Sequence, residues 1–211
     1  MKRYILIFVI LIFVTVGSLN ATTLFNSFGL GDSYNINIGL TVGYNPFYDD
    51  AITGNQFSFG GTVPYTFDMV ELAICRVLGA NELDVHLMSD VGNQPGAIIE
   101  AFHFSGAMDP LGQYNPLLIA NSNLYPTLYP NTNYWFVASV PLGSSAAWNL
   151  SSPSVTGTFA QKYGTGPWNV NQGTMSAFRV TGTVVPEPST FVLLGAGFLG
   201  LGFFRWKKRR K

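Results

Sequence analysis

The central part of this 211-residue chain is predicted to be all-β, an antiparallel jelly-roll-like β-sandwich. An N-terminal signal peptide and a single C-terminal transmembrane helix are expected to flank it. Three observations predict the sandwich. Between residues 22 and 184, short runs rich in β-branched and aromatic residues are broken every eight to twelve residues by Gly, Pro, Asn or Asp. No stretch there holds a 3.6-residue period for three turns. Polar and apolar residues alternate instead: Leu83, Val85 and Leu87 share one strand face opposite Asp84 and His86, and Phe178 and Val180 share another opposite Arg179. One wet face and one buried face, repeated about eight times, is the pattern of antiparallel sheets packed against each other. An outer-membrane barrel would need strands of roughly ten residues with an unbroken apolar outer face, which these shorter, charge-bearing runs do not supply.

Taken in order, the chain opens with Lys2 and Arg3, an apolar run from Tyr4 to Val16, and the small and polar residues Gly17, Ser18, Leu19, Asn20 and Ala21. A charged start, an apolar stretch too short to span a bilayer comfortably and a small-residue end make a secretory leader over residues 1–21. Cleavage is expected after Ala21; Leu19 at the −3 position keeps cleavage after Ser18 as the alternative. Residues 22–184 form the sandwich domain, with strands predicted at Tyr34–Val42, Gln56–Phe59, Tyr65–Val77, Glu82–Ser89, Ile98–Phe104, Tyr134–Val140, Ser154–Tyr163 and Ser176–Val184. The runs Ser89 to Gly96 and Tyr129 to Asn133 concentrate turn-forming residues between them.

The final region, residues 185–211, has three parts. Pro186-Glu187-Pro188 comes first, then an apolar run from Phe191 to Phe204, then the cations Arg205, Lys207, Lys208, Arg209, Arg210 and Lys211. Fourteen apolar residues make about 21 Å of helix against a hydrocarbon thickness of ~30 Å, so a buried core helix is the competing reading. Gly195, Gly197, Gly200 and Gly202 would each cost about 1 kcal/mol in a water-exposed helix, yet Gly is common in membrane helices. The basic cap with Trp206 supplies a positive-inside signal, and Thr190 and a snorkelling Arg205 lengthen the span to about 190–204. The expected topology puts the C-terminus in the cytoplasm and the domain outside.

Eleven Lys and Arg balance eleven Asp and Glu, but the neutrality is only a total. Between residues 22 and 185 three cations, Arg76, Lys162 and Arg179, face ten acids, a net charge of −7. An acidic domain between basic ends offers no clustered cations for phosphate, which excludes nucleic acid as a partner. Cys75 is the one cysteine. The exported domain therefore holds by packing without an internal disulfide, and Cys75 reads as a structural core residue.

Candidate chemistry is sparse. His86 shares a face with Asp84, whereas His103 and Glu100 fall on opposite faces, and no metal-ligand spacing or nucleophile elbow accompanies them. No cofactor is expected. Ca²⁺ is the one cation with oxygen-rich loops on offer, Asn45 with Asp49 and Asp50, and Asp90 to Asn93, but these residues are also ordinary turn formers. Trp135, Trp148, Trp168, Tyr114, Tyr125 and Tyr129 could stack on sugars if exposed, though Trp135 shares a face with Val137 and reads as core. Asn149-Leu150-Ser151 and Asn20-Ala21-Thr22 satisfy a glycosylation sequon.

From Val185 onward, Pro186-Glu187-Pro188-Ser189-Thr190, a Gly-rich apolar helix and the cap from Arg205 to Lys211 resemble the PEP-CTERM sorting signal of Gram-negative bacteria. The resemblance implies recognition by an exosortase, a membrane-embedded transpeptidase, with Pro186, Glu187 and Pro188 as the recognition motif. It also implies association with exopolysaccharide and biofilm. More loosely, Tyr65 to Ala73, Leu87-Met88-Ser89-Asp90 with Pro95-Gly96, Tyr134-Trp135, Trp148-Asn149 and Ala177 to Val180 resemble the choice-of-anchor sandwich domains, a likeness that transfers no catalytic residue. The expected protein is a secreted, non-catalytic structural or adhesive module at the cell surface or in the extracellular matrix. Its partners would be the secretion machinery, exosortase, the membrane transiently, and extracellular polysaccharide. A lectin-like module and a polysaccharide-acting enzyme are the alternatives.

Overall fold

A computed structural model describes residues 21–45, 48–152 and 155–185. The leader residues 1–20, the motif Pro186 to Pro188, the apolar run and the cap Arg205 to Lys211 lie outside the described residues. Among the described residues no helix is long and apolar enough to cross a membrane.

The described chain is all-β. Its strands are β1 (Thr22–Asn26), β2 (Tyr34–Asn45), β3 (Tyr48–Phe57), β4 (Tyr65–Leu72), β5 (Ile74–Leu78), β6 (Glu82–Asp90), β7 (Pro95–Ser105), β8 (Leu118–Asn121), β9 (Thr127–Leu128), β10 (Tyr134–Ser139), β11 (Ser145–Ser151), β12 (Thr156–Tyr163), β13 (Trp168–Thr174) and β14 (Phe178–Val184). They form two antiparallel sheets. The smaller runs β1-β14-β4-β8 with β9 also on β4; the larger runs β5-β11-β2-β3-β10-β6-β7, with the β12–β13 hairpin added on β3.

The alternation seen in the sequence sets which faces meet. Leu83, Val85 and Leu87 of β6 are fully buried, as are Phe178 and Val180 of β14, and all join one apolar cluster drawn from both sheets. Aromatic rings close the gap between the layers. Phe67 of β4 lies 5.8 Å from Phe136 of β10, and Phe178 of β14 lies 5.8 Å from Trp148 of β11. Edge-to-face and tilted pairs at these distances add to area burial, so a domain without a disulfide is held by its interior rings.

The structure departs from the predicted strands where composition misleads. Tyr65–Val77 is not one strand: it breaks at Ala73, where the chain leaves the smaller sheet and enters the larger. Ala73 bridges the two, donating its N–H to Ala177 O at 3.1 Å and accepting from Asn149 N–H at 2.8 Å. Of the strand predicted at Gln56–Phe59 only Gln56 and Phe57 are strand; they end β3, which begins at Tyr48 and runs through a stretch of Asp, Asn and Gly that reads as turn. Of its buried polar side chains, Thr53 Oγ1 donates to Thr41 O at 2.6 Å, and Asn55 Oδ1 accepts from Ser176 N–H at 3.0 Å, while Asn55 Nδ2 is buried without a partner among the described residues. Strands β1, β8, β9, β11 and β13 were likewise not predicted, being short or rich in Ala, Ser and Asn. A bulge next to Gly43 lets β2 turn into β3. Gly43 has φ +89, and a Cβ there would lie 2.2 Å from Val140 Cγ2, so no other residue fits.

Candidate functional site

The first candidate is the junction where the domain meets its two flanking segments. Strand β1 pairs with β14, with Thr22 opposite Gly182 and Thr23 opposite Thr181. The first and last strands of the domain are therefore neighbours, and both ends of the folded unit leave from one side of the smaller sheet. Ala21, the expected last leader residue, is exposed and directly precedes the first paired residue. At the other end Val184 stands opposite Tyr65, and Val185 donates its N–H to Pro64 O at 3.1 Å. Thr183 Oγ1 donates to Asp68 Oδ2 at 2.6 Å and fixes the strand end laterally. In sequence, Pro186 follows Val185 with no spacer.

A second candidate is an open groove of about 430 Å³ on the larger sheet, across β2, β11 and β5. Ile38, Tyr44, Val77, Leu78 and Leu111 line it and are all exposed. A Cβ on Gly39, which also lines the groove, would approach Trp148 O to 2.7 Å, so that position must stay bare. No lining residue is charged; the groove suits a neutral, partly apolar ligand.

The predicted aromatic candidates divide. Trp135 and Trp148 are fully buried, Trp148 donating its indole N–H to Ala177 O at 3.2 Å. Trp168 is half-buried against the cluster of Trp135, Val137 and Ala160. Tyr114, Tyr125 and Tyr129 remain on the surface, 69 %, 59 % and 57 % exposed.

The histidines pair differently from their sequence neighbours. Glu100 points inward with Phe102, while register sets His103 of β7 opposite Asp84 of β6. His103 Nδ1 lies 2.8 Å from Asp84 Oδ1 and Nε2 lies 3.0 Å from Glu82 Oε2. The hydrogen bond to Asp84, followed by the negative charges of Asp84 and Glu82, raises the His103 pKa above its ordinary 6.5. A raised folded-state value means that the contact stabilises the fold fully below the unfolded value and loses that contribution as pH rises through the folded one. We expect an NMR titration of the His103 ring to show a midpoint above 6.5 that falls in Asp84→Asn; an unchanged midpoint would contradict the pairing. The carboxylates engage opposite ring nitrogens and so do not converge on a shared metal position.

The carboxylate of Asp90, named as an oxygen donor for Ca²⁺, is engaged by protein groups. Oδ1 accepts from Trp135 Nε1 at 2.7 Å and Gln56 Nε2 at 2.9 Å, and Oδ2 accepts from Asn93 N–H at 3.1 Å. Asn45 ends β2 and Asp49 and Asp50 lie in β3 rather than in a loop; residues 46–47 between the two strands lie outside the described residues. Among the described residues no group of three or more His, Cys, Asp or Glu is placed to hold a metal ion. Cys75 is buried, with Sγ 3.1 Å from Asn149 Oδ1, and burial pushes its thiol pKa up to about 11, away from the thiolate that reactivity requires. Asn149 is itself buried, its amide donating to Asn35 O at 2.8 Å, so the sequon there presents no free acceptor.

Sequence reasoning missed two polar centres. Glu100, 3 % exposed, accepts from Ser122 Oγ at 2.7 Å, Asn123 N–H at 2.6 Å and Leu124 N–H at 3.0 Å. Its phase with Phe102 and Phe104 along β7 was the available signal: an acid on the inward face needs donors. Arg179 joins Glu71 directly across from it on β4 and Asp32 at 2.7 Å, tying the loop after β1 to the smaller sheet. That pairing depends on register and left no sequence signal.

A family model described as the PEP-CTERM protein-sorting motif matches residues 184–210. The match includes Pro186, Glu187 and Pro188 and the basic residues through Arg210. None of the curated proteins matches the chain.

Proposed function

We propose that this exosortase-sorted, secreted surface protein works as a non-catalytic structural or adhesive module in extracellular polysaccharide or biofilm matrix. The observation that carries the sorting part is the sorting motif placed directly after a folded all-β domain. In this reading the leader is removed after Ala21, and the segment at about 190–204 holds the exported domain in the membrane with its basic cap inside. Exosortase then acts near Pro186-Glu187-Pro188. The two packed sheets serve as a jelly-roll-like sandwich, stable outside the cell without cofactor or disulfide.

The fate of seven of the ten acids between residues 22 and 185 supports a non-catalytic role. A glycoside hydrolase needs two carboxylates free to flank one bond. Here Asp32 and Glu71 bind Arg179, Glu82 and Asp84 bind His103, Asp68 binds Thr183, Asp90 binds Trp135, and Glu100 binds the loop at 122–124. Comparing intact masses of the protein from cells with and without exosortase tests the sorting route. We expect loss of the C-terminal segment only where the enzyme is present, and equal masses would end the proposal.

The uncharged groove with Tyr44 favours a second reading, a lectin-like module for neutral glycans. Titration calorimetry against cell-envelope and matrix polysaccharides should then give heat that Tyr44→Ala abolishes; no heat with the unsubstituted protein removes this reading.

A further inference from the structure

The loop from Ser122 to Pro126 is held along its length, yet it presents two large apolar side chains to solvent. Strands β8 and β9 on either side of it both pair with β4. Within it the Ser122 N–H donates to Asp68 O at 2.7 Å, and Pro126 O accepts from the Phe67 N–H at 2.9 Å. The buried carboxylate of Glu100, from the other sheet, accepts from Ser122 Oγ and from the Asn123 and Leu124 amides. Leu124 is nonetheless 68 % exposed and Tyr125 59 %. Tyr125 has φ +49, in the left-handed region that a bulky residue rarely takes. Backbone outliers of this kind persist where the surroundings over-determine them, and they cluster at binding sites. A buried carboxylate and a strained backbone thus fix a rigid apolar knob, ordered before any partner arrives.

The same chain carries a receptor for such a knob. The groove across β2, β11 and β5 has Ile38, Val77, Leu78 and Leu111 exposed along it, no charged lining residue, and Gly39 where a Cβ would strike Trp148 O. The knob does not fill its own groove. It is pinned beside Phe67 and Asp68 of β4, whereas Val77 and Leu78 belong to β5, up to about 30 Å further along at ~3.3 Å per residue. Neither Leu124 nor Tyr125 is among the groove's lining residues. Charge selects the meeting surfaces as well. Between residues 22 and 185 three cations face ten acids, so two copies repel unless the patches that touch are uncharged. Residues 110–161, which include the knob and the groove residues Leu111, Ser145, Ala146 and Ala147, hold no charge.

We infer that a second copy of this chain seats its Leu124 and Tyr125 in the groove across β2, β11 and β5. Knob and groove are different patches, so the contact is heterologous: a copy that gives its knob keeps its groove free for the next, and copies join in rows. Two side chains bury far less than the ~1,600 Å² of a standard interface. A single contact is therefore weak, and rows form where copies are crowded together. This contact gives the structural module proposed above its partner and does not depend on exosortase.

The test uses the full chain in a non-ionic detergent. Copies carrying Tyr125→p-benzoylphenylalanine, a photoreactive aromatic, are mixed with isotope-labelled copies, irradiated and digested, and mass spectrometry locates each link between the two. Links are expected on the labelled copy around Ile38, Val77, Leu78 or Leu111. Their yield should hold or rise with salt, because screening weakens the repulsion between acidic copies and the joined patches are uncharged. Val77→Asp in the labelled copy should lower the yield about tenfold, the weight of one apolar anchor. Leu124→Asp in the labelled copy should leave it unchanged, since that copy supplies only the groove. Both positions are exposed, and thermal denaturation checks that the variants fold; should Val77→Asp fail to fold, the location of the links decides alone. Absence of links between copies, links that land elsewhere, a yield that salt suppresses, or loss of capture by Leu124→Asp overturns the inference. So does heat with a neutral polysaccharide that Val77→Asp abolishes while no links form, which would give the groove to a glycan.

Discussion

Phe178→Ala is expected to destabilise the domain by about 3–5 kcal/mol, the range for truncating a fully buried aromatic side chain. Phe178 is wholly buried in β14, and its ring lies 4.8 Å from Phe25, 5.8 Å from Trp148, 6.1 Å from Phe136 and 6.2 Å from Phe57. Phe25 belongs to the same sheet, while the other three come from the larger one. Removing the ring takes away cross-sheet dispersion contacts and leaves a cavity that stiff neighbouring strands cannot fill. In a domain of this size a loss of 1 kcal/mol lowers Tm by roughly 2–4 °C, so thermal denaturation should show a fall of about 10 °C. Phe178→Leu, which keeps most of the volume, should lie well inside that change. A loss below about 1 kcal/mol for the alanine variant would mean that the sheets do not share this core.

Glu100→Ala should follow, with a loss of about 2–4 kcal/mol, because it leaves the Ser122 hydroxyl and the Asn123 and Leu124 amides without their buried acceptor. The effect is local in origin. Tyr125 N–H depends in turn on Ser122 Oγ at 2.8 Å, so the loop between β8 and β9 loosens as a unit. Glu100→Gln keeps the size and one oxygen but turns an NH₂ group toward donors, and it should recover only part of the loss. Urea denaturation measures the stability, and hydrogen exchange at Asn123 and Leu124 reports the loop. Unchanged exchange at those amides in Glu100→Ala would show that the carboxylate does not hold the segment.

Much of the fold was legible where periodicity and burial agree. Leu83, Val85 and Leu87 in one strand, and Phe178 and Val180 in another, fall on the inner face as alternation requires, since the two-residue period is a covalent property of extended chain. Only the end of the strand at Tyr48–Phe57, Gln56 and Phe57, was legible, because Asp, Asn and Gly before it carry turn propensity in isolation and become strand only when Thr41 and Ser176 supply hydrogen-bond partners. The break at Ala73 was hidden for the same reason: the apolar run continues through it, and only the placement of two sheets tells that its halves belong to different layers. His103 shows the limit for site residues. Its partners Glu82 and Asp84 stand on the neighbouring strand, and register is a tertiary fact.

The sequence by itself determined the handling of this protein. Pro186-Glu187-Pro188, the apolar run and the basic cap are contiguous, so the local sequence carries the whole signal; the family match at residues 184–210 falls on them. The all-β class was likewise determined locally, by strand periodicity and turn chemistry. The tertiary structure decided what depends on distant residues meeting: the inward role of Glu100, the clasp of Arg179 on Glu71 and Asp32, and the uncharged groove across β2, β11 and β5. It also decided that the first and last strands lie side by side, so that Thr22 faces Gly182 and the sorting signal starts within a sheet. Long-range pairing sets that arrangement, because hydrogen-bonded register couples residues 160 positions apart whose local sequences carry no record of each other.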